Sequence, residues 1–391
     1  SHFFSYEMTY NRDNPFTAHL KFRRRLNGQA SDKDVQHLVF DVSNGNVSYK
    51  CGDSIAVFPK NNGNETAEIL RLLKITPETQ VKLPFLGEKI SIFSALREYL
   101  CITNLPDQFW RWLAEIGTNS GMGSFINGKI LRSDPECQVL AKSYSLLEIL
   151  KKFDGHCKVE PGELATKLRR LTPRLYSIAS SPIANRNEIH IVVGVVSYTN
   201  AIGNKRNGIA SNYLAHDANI GEDIRIFVVK SMFALPTNAE SNIIMVGPGT
   251  GIAPFRGFLQ ERQWVVDKGG KVGKSWLFFG DRNRATDFLF EEELQSFKDS
   301  GILTNLDLAF SRDQENKIYV QDRIWERRKE LWSWISDGAY VYVCGNASKM
   351  AVDVENTLKK VAMELGNFTE DEANGFFKLL KDGRRYQKDV Y

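Results

Sequence analysis

Hydrophobic positions change their spacing along the chain, and each change indicates a different secondary structure. Between residues 16 and 59 apolar side chains alternate with polar ones or form short runs, which predicts β-strands. From residue 64 to residue 171 they recur at intervals of three and four, as at Leu146, Leu150 and Phe153, which predicts helices. Strand patterns return between residues 174 and 236. These changes predict one β domain whose sequence is interrupted by a helical insertion.

From residue 242 onward, short apolar runs alternate with helical patterns. The runs cover residues 243–246, 276–279, 306–310 and 340–343. Strands that are almost wholly apolar and alternate with helices are typical of a parallel sheet covered on both faces. The last residues, 386–391, have the polar character of a frayed C-terminal tail.

Composition excludes several classes of protein. The 391 residues suggest two or three domains, and a hydrophobic fraction of 42% with 25% charged residues is typical of a soluble globular protein. Lys and Arg exceed Asp and Glu by 51 − 47 = 4, too few for a nucleic-acid-binding surface. The five dispersed cysteines form no Cys-x-x-Cys pair, so they indicate neither a disulfide framework nor a metal site, and a cytoplasmic location is expected. No apolar stretch suits a membrane helix, and residues 1–4 lack the features of a signal peptide.

Four polar or glycine-rich segments carry candidate chemistry. The segment GPGTGIAP at residues 247–254 follows the first strand of the α/β region and fits either a pyrophosphate loop at a helix N-terminus or a tight turn without a ligand. The polar cluster at residues 311–321 follows the third strand, where it fits either a monoester phosphate such as the 2′-phosphate of NADP or a solvated loop. Residues 174–177 (RLYS), and residues 208–211 (GIAS) before a helical pattern that starts at Asn212, fit either a second nucleotide or a strand edge and a helix cap.

Seven motifs, in a fixed order, resemble the FAD/NADPH half of the diflavin reductases over essentially the whole chain. They are RLYSIASS at 174–181, GIAS at 208–211, GPGTGIAPFR at 247–256, SRDQ at 311–314, YVQD at 319–322, YVCG at 342–345 and the C-terminal RYQKDVY. The similarity is greatest to members that serve NADPH-dependent sulfite reduction. The resemblance implies a ferredoxin-NADP reductase-like fold, an α/β domain plus a β barrel. It implies an FAD-binding antiparallel barrel over residues 1–62 and 172–237, a helical connecting domain over 63–171, and a doubly wound parallel-sheet NADP-binding domain over 238–391.

The resemblance also implies roles for individual residues at the FAD site. Arg174 is expected to contact the FAD pyrophosphate, Tyr176 to stack on the isoalloxazine, and Ser177 to lie near flavin N5. The other expected FAD contacts are Thr103, Leu175, Val192, Val193, Gly194, Tyr198, Gly208, Ile209, Ala210, Ser211 and Tyr391.

NADPH is the second cofactor that the resemblance implies. Thr250 belongs to the expected NADP pyrophosphate loop, and Lys33 and Asp353 are further expected contacts. The 2′-phosphate and adenine would be held by Ser311, Arg312, Lys317, Ile318, Tyr319, Val320 and Gln321.

The expected reaction is hydride transfer from nicotinamide C4 to flavin N5, for which the protein supplies alignment and polar stabilisation. Residues alone would assign Cys344 to packing, but the resemblance places Ser177, Cys344 and Asp389 beside the hydride path. Tyr391 matches the family's terminal aromatic residue, which covers the flavin and must move for nicotinamide to stack there.

The family normally carries a flavodoxin-like FMN domain that this chain has no room for, so FMN is expected only in a missing or separate domain or protein. The expected partners are that FMN domain and, in the most similar members, a sulfite reductase haemoprotein. Two alternatives remain: a stand-alone ferredoxin- or flavodoxin-NADP reductase, and a catalytically silent interaction module with the same fold.

Replacing Arg312 tests the predicted phosphate contact. We expect Arg312→Ala to weaken NADPH binding far more than NADH binding, because only NADPH carries the 2′-phosphate. Steady-state kinetics with both nucleotides measure the difference. Equal losses for the two nucleotides would contradict this role of Arg312.

Overall fold

A computed structural model describes residues 9–155 and 157–391; residues 1–8, which the β-domain and signal-peptide predictions include, lie outside the described residues. The strands are β1 (Phe16–Arg25), β2 (Val35–Asp41), β3 (Ser54–Val57), β4 (Gln80–Lys82), β5 (Lys89–Ser91), β6 (Arg174–Ser177), β7 (Glu188–Gly194), β8 (Ser197–Thr199), β9 (Lys205–Asn207), β10 (Asp223–Val229), β11 (Ile243–Val246), β12 (Ser275–Asp281), β13 (Asn305–Phe310), β14 (Tyr340–Gly345) and β15 (Tyr386–Val390). The helices are α1 (Gly63–Leu73), α2 (Ile92–Ser94), α3 (Asp107–Ile116), α4 (Met122–Lys129), α5 (Pro135–Ser143), α6 (Leu146–Lys152), α7 (Pro161–Lys167), α8 (Ile209–Asn212), α9 (Ala253–Asp267), α10 (Arg284–Asp287), α11 (Glu291–Asp299), α12 (Val320–Glu326), α13 (Arg328–Ser336), α14 (Met350–Leu365) and α15 (Glu370–Asp382). Short 3₁₀ turns cover Thr118–Ser120 and Gly249–Ile252, and π turns cover Ala95–Tyr99 and Tyr213–Asp217.

Contacts divide the chain into two compact units. The first unit contains the chain up to Ala56 together with Leu175–Gly194 and Asn219–Tyr391, and the second contains Val57–Arg174 and Val195–Ala218. The boundaries of the functional domains that the resemblance implies stay a prediction.

The larger sheet of the first unit joins strands from before and after the helical region. Its order is β6-β3-β10-β1-β2-β7, and β1 pairs antiparallel with both β2 and β10 while β2 pairs antiparallel with β7. An isolated antiparallel bridge between Ile178 and Ile191 links the residue after β6 to β7. The predicted interruption is therefore confirmed, and the sheet is barrel-like rather than fully closed.

The second unit is mainly helical, as the spacing of its apolar residues predicts. Its core contains the fully buried Phe109 and Trp110 of α3, together with Ile149 and Leu150 of α6. Helix α6 begins with a capping box: the Ser145 hydroxyl accepts a hydrogen bond from the N–H of Glu148, and the Glu148 carboxylate accepts one from the N–H of Ser145. The pairs β4-β5 and β8-β9 form two small antiparallel ribbons, of which β8 and β9 lie where the sequence predicts strands and β4 and β5 lie where it predicts helices.

A parallel sheet of five strands forms the rest of the first unit. Its order is β13-β12-β11-β14-β15, and helices cover both faces. Successive side chains point to opposite faces, so that Phe278 belongs to one core and Phe279 to the other. The predicted frayed tail is wrong, because the C-terminal residues form edge strand β15, and Tyr386 at its start is buried.

The strand order reverses between β11 and β14, and ligands of doubly wound sheets bind where this happens, beyond the carboxyl ends of the strands. The loop after β11 and the end of β14 pack closely against each other there: a Cβ on Gly251 would lie 2.2 Å from the carbonyl oxygen of Cys344. Gly249 has φ +58°, a conformation that favours glycine. Close backbone packing therefore requires glycine in this segment. The same segment is also suited to bind a phosphate.

Across the described ranges, no helix combines the length and the apolar character that a membrane span requires.

Candidate active site

Three predicted catalytic side chains meet where the two sheets of the first unit approach each other. Ser177 is the last residue of β6, and Asp389 lies in β15 directly opposite Cys344 in the neighbouring strand β14. The Ser177 hydroxyl donates a hydrogen bond of 2.7 Å to Asp389 Oδ2, and Cys344 Sγ lies 4.0 Å from the same oxygen. The Asp389 carboxylate therefore has two donors close to one oxygen, the Ser177 hydroxyl and the Cys344 thiol.

The thiol of Cys344 is fully buried. Burial and, secondarily, the nearby charge of Asp389 raise its pKa well above the ordinary value of a cysteine. The thiol therefore keeps its proton at neutral pH and acts as a weak donor toward the carboxylate rather than as a nucleophile.

Tyr391 is anchored beside this cluster. Its hydroxyl lies 2.7 Å from Thr250 Oγ1, its backbone N–H donates to Gly345 O at 3.0 Å, and its carbonyl accepts from the N–H of Ala347 at 3.0 Å. Although 59% of the residue is exposed, surrounding protein atoms raise the pKa of Tyr391 to about 12, so the phenol is neutral at physiological pH. Through Thr250, the Tyr391 ring is thus attached to the glycine-rich segment at residues 247–254, called the glycine-rich loop below.

A cavity of about 540 Å³ opens at the carboxyl ends of β11 to β14. Six predicted NADP residues line it: Lys33, Ser311, Tyr319, Val320, Gln321 and Asp353. The remaining lining residues are Pro248, Gly249, Gly280, Asp281, Arg282, Ala309, Asn346, Ser348, Lys349 and Met350. The cavity volume is typical of small-molecule sites, and the cationic side chains of Lys33, Arg282 and Lys349 suit phosphate groups.

Three of the predicted phosphate and adenine contacts lie outside the lining of this cavity. The Arg312 guanidinium is 3.7 Å from the Asp32 carboxylate and about half exposed, and Lys317 is exposed. The side chain of Ile318 packs against the core on one face of the parallel sheet. Their contacts with NADP stay predictions.

The predicted FAD contacts in the first unit differ in how much of each side chain is exposed. Leu175 is 56% exposed and Tyr176 is half-buried, so both present side-chain surface. The side chains of Val192 and Val193 are buried, so only their backbone is available to a cofactor. A Cβ on Gly194 would lie 3.3 Å from the Thr250 methyl group, so glycine keeps this space open beside the glycine-rich loop.

In the second unit, Arg174 and Tyr198 are exposed, and Thr103 is half-buried in the loop before α3. The helix expected from Asn212 begins three residues earlier, at Ile209, with Gly208 as its N-cap residue. The segment 208–211 therefore forms the first turn itself, whose N–H groups have no partner within a helix. The buried Ser211 hydroxyl accepts from the N–H of Val196 at 3.1 Å and so braces this turn.

Sequence reasoning missed several residues at the first unit's site. Asp281 ends β12 and Arg282 follows it, and both line the cavity, where Asp281 Oδ1 accepts from Lys33 Nζ at 2.7 Å. Lys349 lies in the loop after β14, with its Nζ 6.0 Å from the centre of the Tyr319 ring. The rule that ligands bind at the carboxyl ends of parallel strands could have found these residues, because it applies to β12 and β14 as it does to β13.

Comparison with protein families gives two matches. The family described as "FAD binding domain" matches residues 9–213, more than half of the chain, and the family described as "Oxidoreductase NAD-binding domain" matches residues 245–356. The first match spans strands of the antiparallel sheet and the helical region, and the second begins within β11 and ends within α14.

Curated relatives extend over nearly the whole chain. A protein of Mannheimia succiniciproducens named "Sulfite reductase [NADPH] flavoprotein alpha-component" is 40% identical over 98% of this chain, and a namesake from Vibrio vulnificus is also 40% identical over 98%. A third namesake, from Serratia proteamaculans, is 38% identical over 98%. The chain spans 62%, 60% and 62% of the length of these three relatives, respectively.

The environment of Cys344 predicts low thiol reactivity. We expect iodoacetamide at pH 8 to alkylate Cys344 at least about tenfold more slowly in the folded protein than in urea, because burial and a raised pKa suppress the thiolate. Mass spectrometry of the peptide that contains Cys344 measures both rates in the same protein. Equal rates in the folded and unfolded states would contradict the buried, protonated thiol.

Proposed function

The chain belongs to the FAD-binding domain family of flavoproteins, and on this premise we propose that it is an NADPH-dependent reductase that passes hydride from NADPH to bound FAD. The match of residues 245–356 to an oxidoreductase NAD-binding domain supports a nicotinamide nucleotide as the donor. The relatives' printed names support NADPH and a flavin in the same protein.

The cluster of Ser177, Cys344 and Asp389 is the observation that carries this proposal. Bound FAD would supply the hydride acceptor. The Asp389 carboxylate is suited to stabilise the positive charge that a nicotinamide ring acquires when it loses hydride. The hydrogen bond to Asp389 fixes the orientation of the Ser177 hydroxyl, so that the lone pairs of Ser177 Oγ face away from the carboxylate. The Cys344 thiol is a weak donor to the same carboxylate oxygen.

Preference for NADPH over NADH is proposed from the charges of the cavity. Lys33, Arg282 and Lys349 bring three cations to its lining, against the carboxylates of Asp281 and Asp353. Because Asp281 already accepts a hydrogen bond from Lys33, its charge is largely compensated, and the other two cations remain for phosphate groups. Ser311 adds a hydroxyl on the same wall.

Roles in holding FAD are proposed for each unit separately. In the first unit, the half-buried Tyr176 is proposed to stack on the isoalloxazine, and Gly194 leaves room for a cofactor beside Thr250. In the second unit, the exposed Arg174 and the first turn of α8, with its free N–H groups, suit a diphosphate. The proposed functional domains keep the boundaries that the resemblance implies.

Electrons are proposed to leave for an FMN-containing, flavodoxin-like domain or protein and finally for sulfite reduction by a haemoprotein. The relatives' names support sulfite reduction as the final use of the electrons, and the FMN and haemoprotein partners are those that the resemblance implies. A cleft of about 800 Å³ in the second unit supports a negatively charged carrier, because four cationic side chains and one carboxylate line it, although one of the cations, Arg132, also lies 3.3 Å from the Asp134 carboxylate. The cations are Arg111, Arg132, Lys142 and Arg169, and the carboxylate is Asp107. All five cysteines are free thiols, which supports the proposed cytoplasmic location.

The visible spectrum of the purified protein tests the proposed reaction. We expect a flavin spectrum, identified as FAD after release, that bleaches on anaerobic addition of NADPH and much more slowly with NADH. A colourless protein that stays inert after FAD is added would instead identify a silent interaction module. Rapid reduction of a ferredoxin without any FMN protein would identify a stand-alone reductase.

A further inference from the structure

Arg256 is a buried cation that none of the proposed cofactor contacts uses. It lies in the first turn of α9, directly after the glycine-rich loop, and only 6% of its surface is exposed. A positive charge near a helix N-terminus is unfavourable, and burial of a guanidinium is costly unless each donor finds an acceptor. The position therefore calls for strong partners, and the structure provides three.

The three partners come from different elements of the first unit. Arg256 Nε and Nη2 donate to the two carboxylate oxygens of Glu293 at 2.7 and 3.0 Å, a bidentate pair. Arg256 Nη1 donates to the carbonyl oxygen of Ala179 at 2.9 Å and lies 3.0 Å from His190 Nδ1. One side chain thus joins α9 to α11, to β7 and to the segment after β6.

The histidine contact fixes the protonation of a small buried network. A guanidinium can only donate, so His190 Nδ1 accepts, and its Nε2–H donates to Glu188 Oε2 at 2.8 Å. His37 Nε2, 2.9 Å from the same Nδ1, is then a donor as well. Burial, with the charge of Arg256, lowers the pKa of His190 to about 4 and that of His37 to about 2, so both rings are neutral at physiological pH.

Ala179 follows Ser177 by two residues and is held from both sides. Its N–H donates to the carbonyl of His190 at 2.7 Å, while its own carbonyl accepts from Arg256. The same face of α9 packs tightly on the next residue, because a Cβ on Gly257 would lie 3.0 Å from the Ser180 carbonyl oxygen. The segment that carries Ser177 is therefore fixed to the helix that begins with the glycine-rich loop.

We propose that Arg256 is a positioning residue for hydride transfer, which it serves by fixing the Ser177–Ala179 segment relative to the glycine-rich loop and to Asp389. This inference rests on the proposed function. Arg256 touches neither the Ser177 hydroxyl nor the cavity, so it acts through the backbone of Ala179. A displacement of about 1 Å at a reacting centre lowers rates on the order of a hundredfold, which makes such positioning measurable.

Arg256→Lys is the variant that tests this role, and Arg262→Lys is its matched control. Lysine keeps the charge, but its donors lie on a single nitrogen and cannot reproduce the bidentate pair with Glu293 while also reaching the carbonyl of Ala179. Arg262 lies on the same helix, is 3% exposed and donates to backbone carbonyls of Ser241 and Gly273, away from Ala179. A loss that reflects only the burial of an arginine on α9 would appear in both variants.

Two measurements on the purified holoprotein separate positioning from stability. We expect the single-turnover rate of FAD reduction by NADPH to fall about tenfold or more in Arg256→Lys, while FAD content and the affinity for 2′,5′-ADP match those of Arg262→Lys. Hydrogen–deuterium exchange without nucleotide should be at least tenfold faster at the amide of Ala179 in Arg256→Lys alone. Equal reduction rates in the two variants, or unchanged exchange at Ala179, would overturn the proposal.

A second variant keeps the test decisive if Arg256→Lys does not fold. Glu293→Gln retains one acceptor for Arg256 and should give a smaller loss of rate with faster exchange at Ala179. Wild-type behaviour of Glu293→Gln in both measurements would count against the role of Arg256. Failure of the proposed function has a different signature, because the wild-type protein itself would then not be reduced by NADPH.

Discussion

One hydrogen bond, from Ser177 Oγ to Asp389 Oδ2, joins the edge strand of the antiparallel sheet to the edge strand of the parallel sheet. The candidate chemistry depends on it, because it brings a hydroxyl to the carboxylate that already faces Cys344. It forms only if β6 and β15 both keep their positions. The parallel register sets Asp389 opposite Cys344, and a slip of one residue would turn the carboxylate to the other face of the sheet.

Contacts within the protein fix both ends of this bond. The close approach of Gly251 to Cys344 brings the loop after β11 against the end of β14, and Tyr391 ties the chain terminus to the same loop through Thr250. On the other side, Arg256 holds Ala179 and with it the end of β6. The polar site is thus rigid because the apolar strands and close-packed glycines around it allow few alternatives, which is the preorganisation that hydride transfer needs.

The hydrophobic pattern of the sequence predicts the buried elements, but it does not predict structure that depends on contacts between distant segments. Apolar runs correctly predict β11 to β14, because strands covered on both faces are almost wholly apolar. Strand β15 has a single neighbour, so Gln387, Lys388 and Asp389 are tolerated in it and its pattern resembles a tail. The network around Arg256 forms from segments far apart in sequence, and local spacing carries no signal for such contacts. The roles proposed for Ser177, Cys344 and Asp389 come from the resemblance to diflavin reductases, because spacing alone gives none.

The central claim is that the Ser177–Asp389 pair serves hydride transfer, and the most direct test is the single-turnover rate of FAD reduction. The rate should be measured with NADPH and with NADPH deuterated at the transferred position, in the wild type, Ser177→Ala, Asp389→Asn and the exposed control Asp382→Asn. We predict a loss on the order of ten- to a hundredfold in the first two variants, with a retained isotope effect and unchanged affinity for 2′,5′-ADP, and no loss in the control. Wild-type rates of reduction in both Ser177→Ala and Asp389→Asn would contradict the claim.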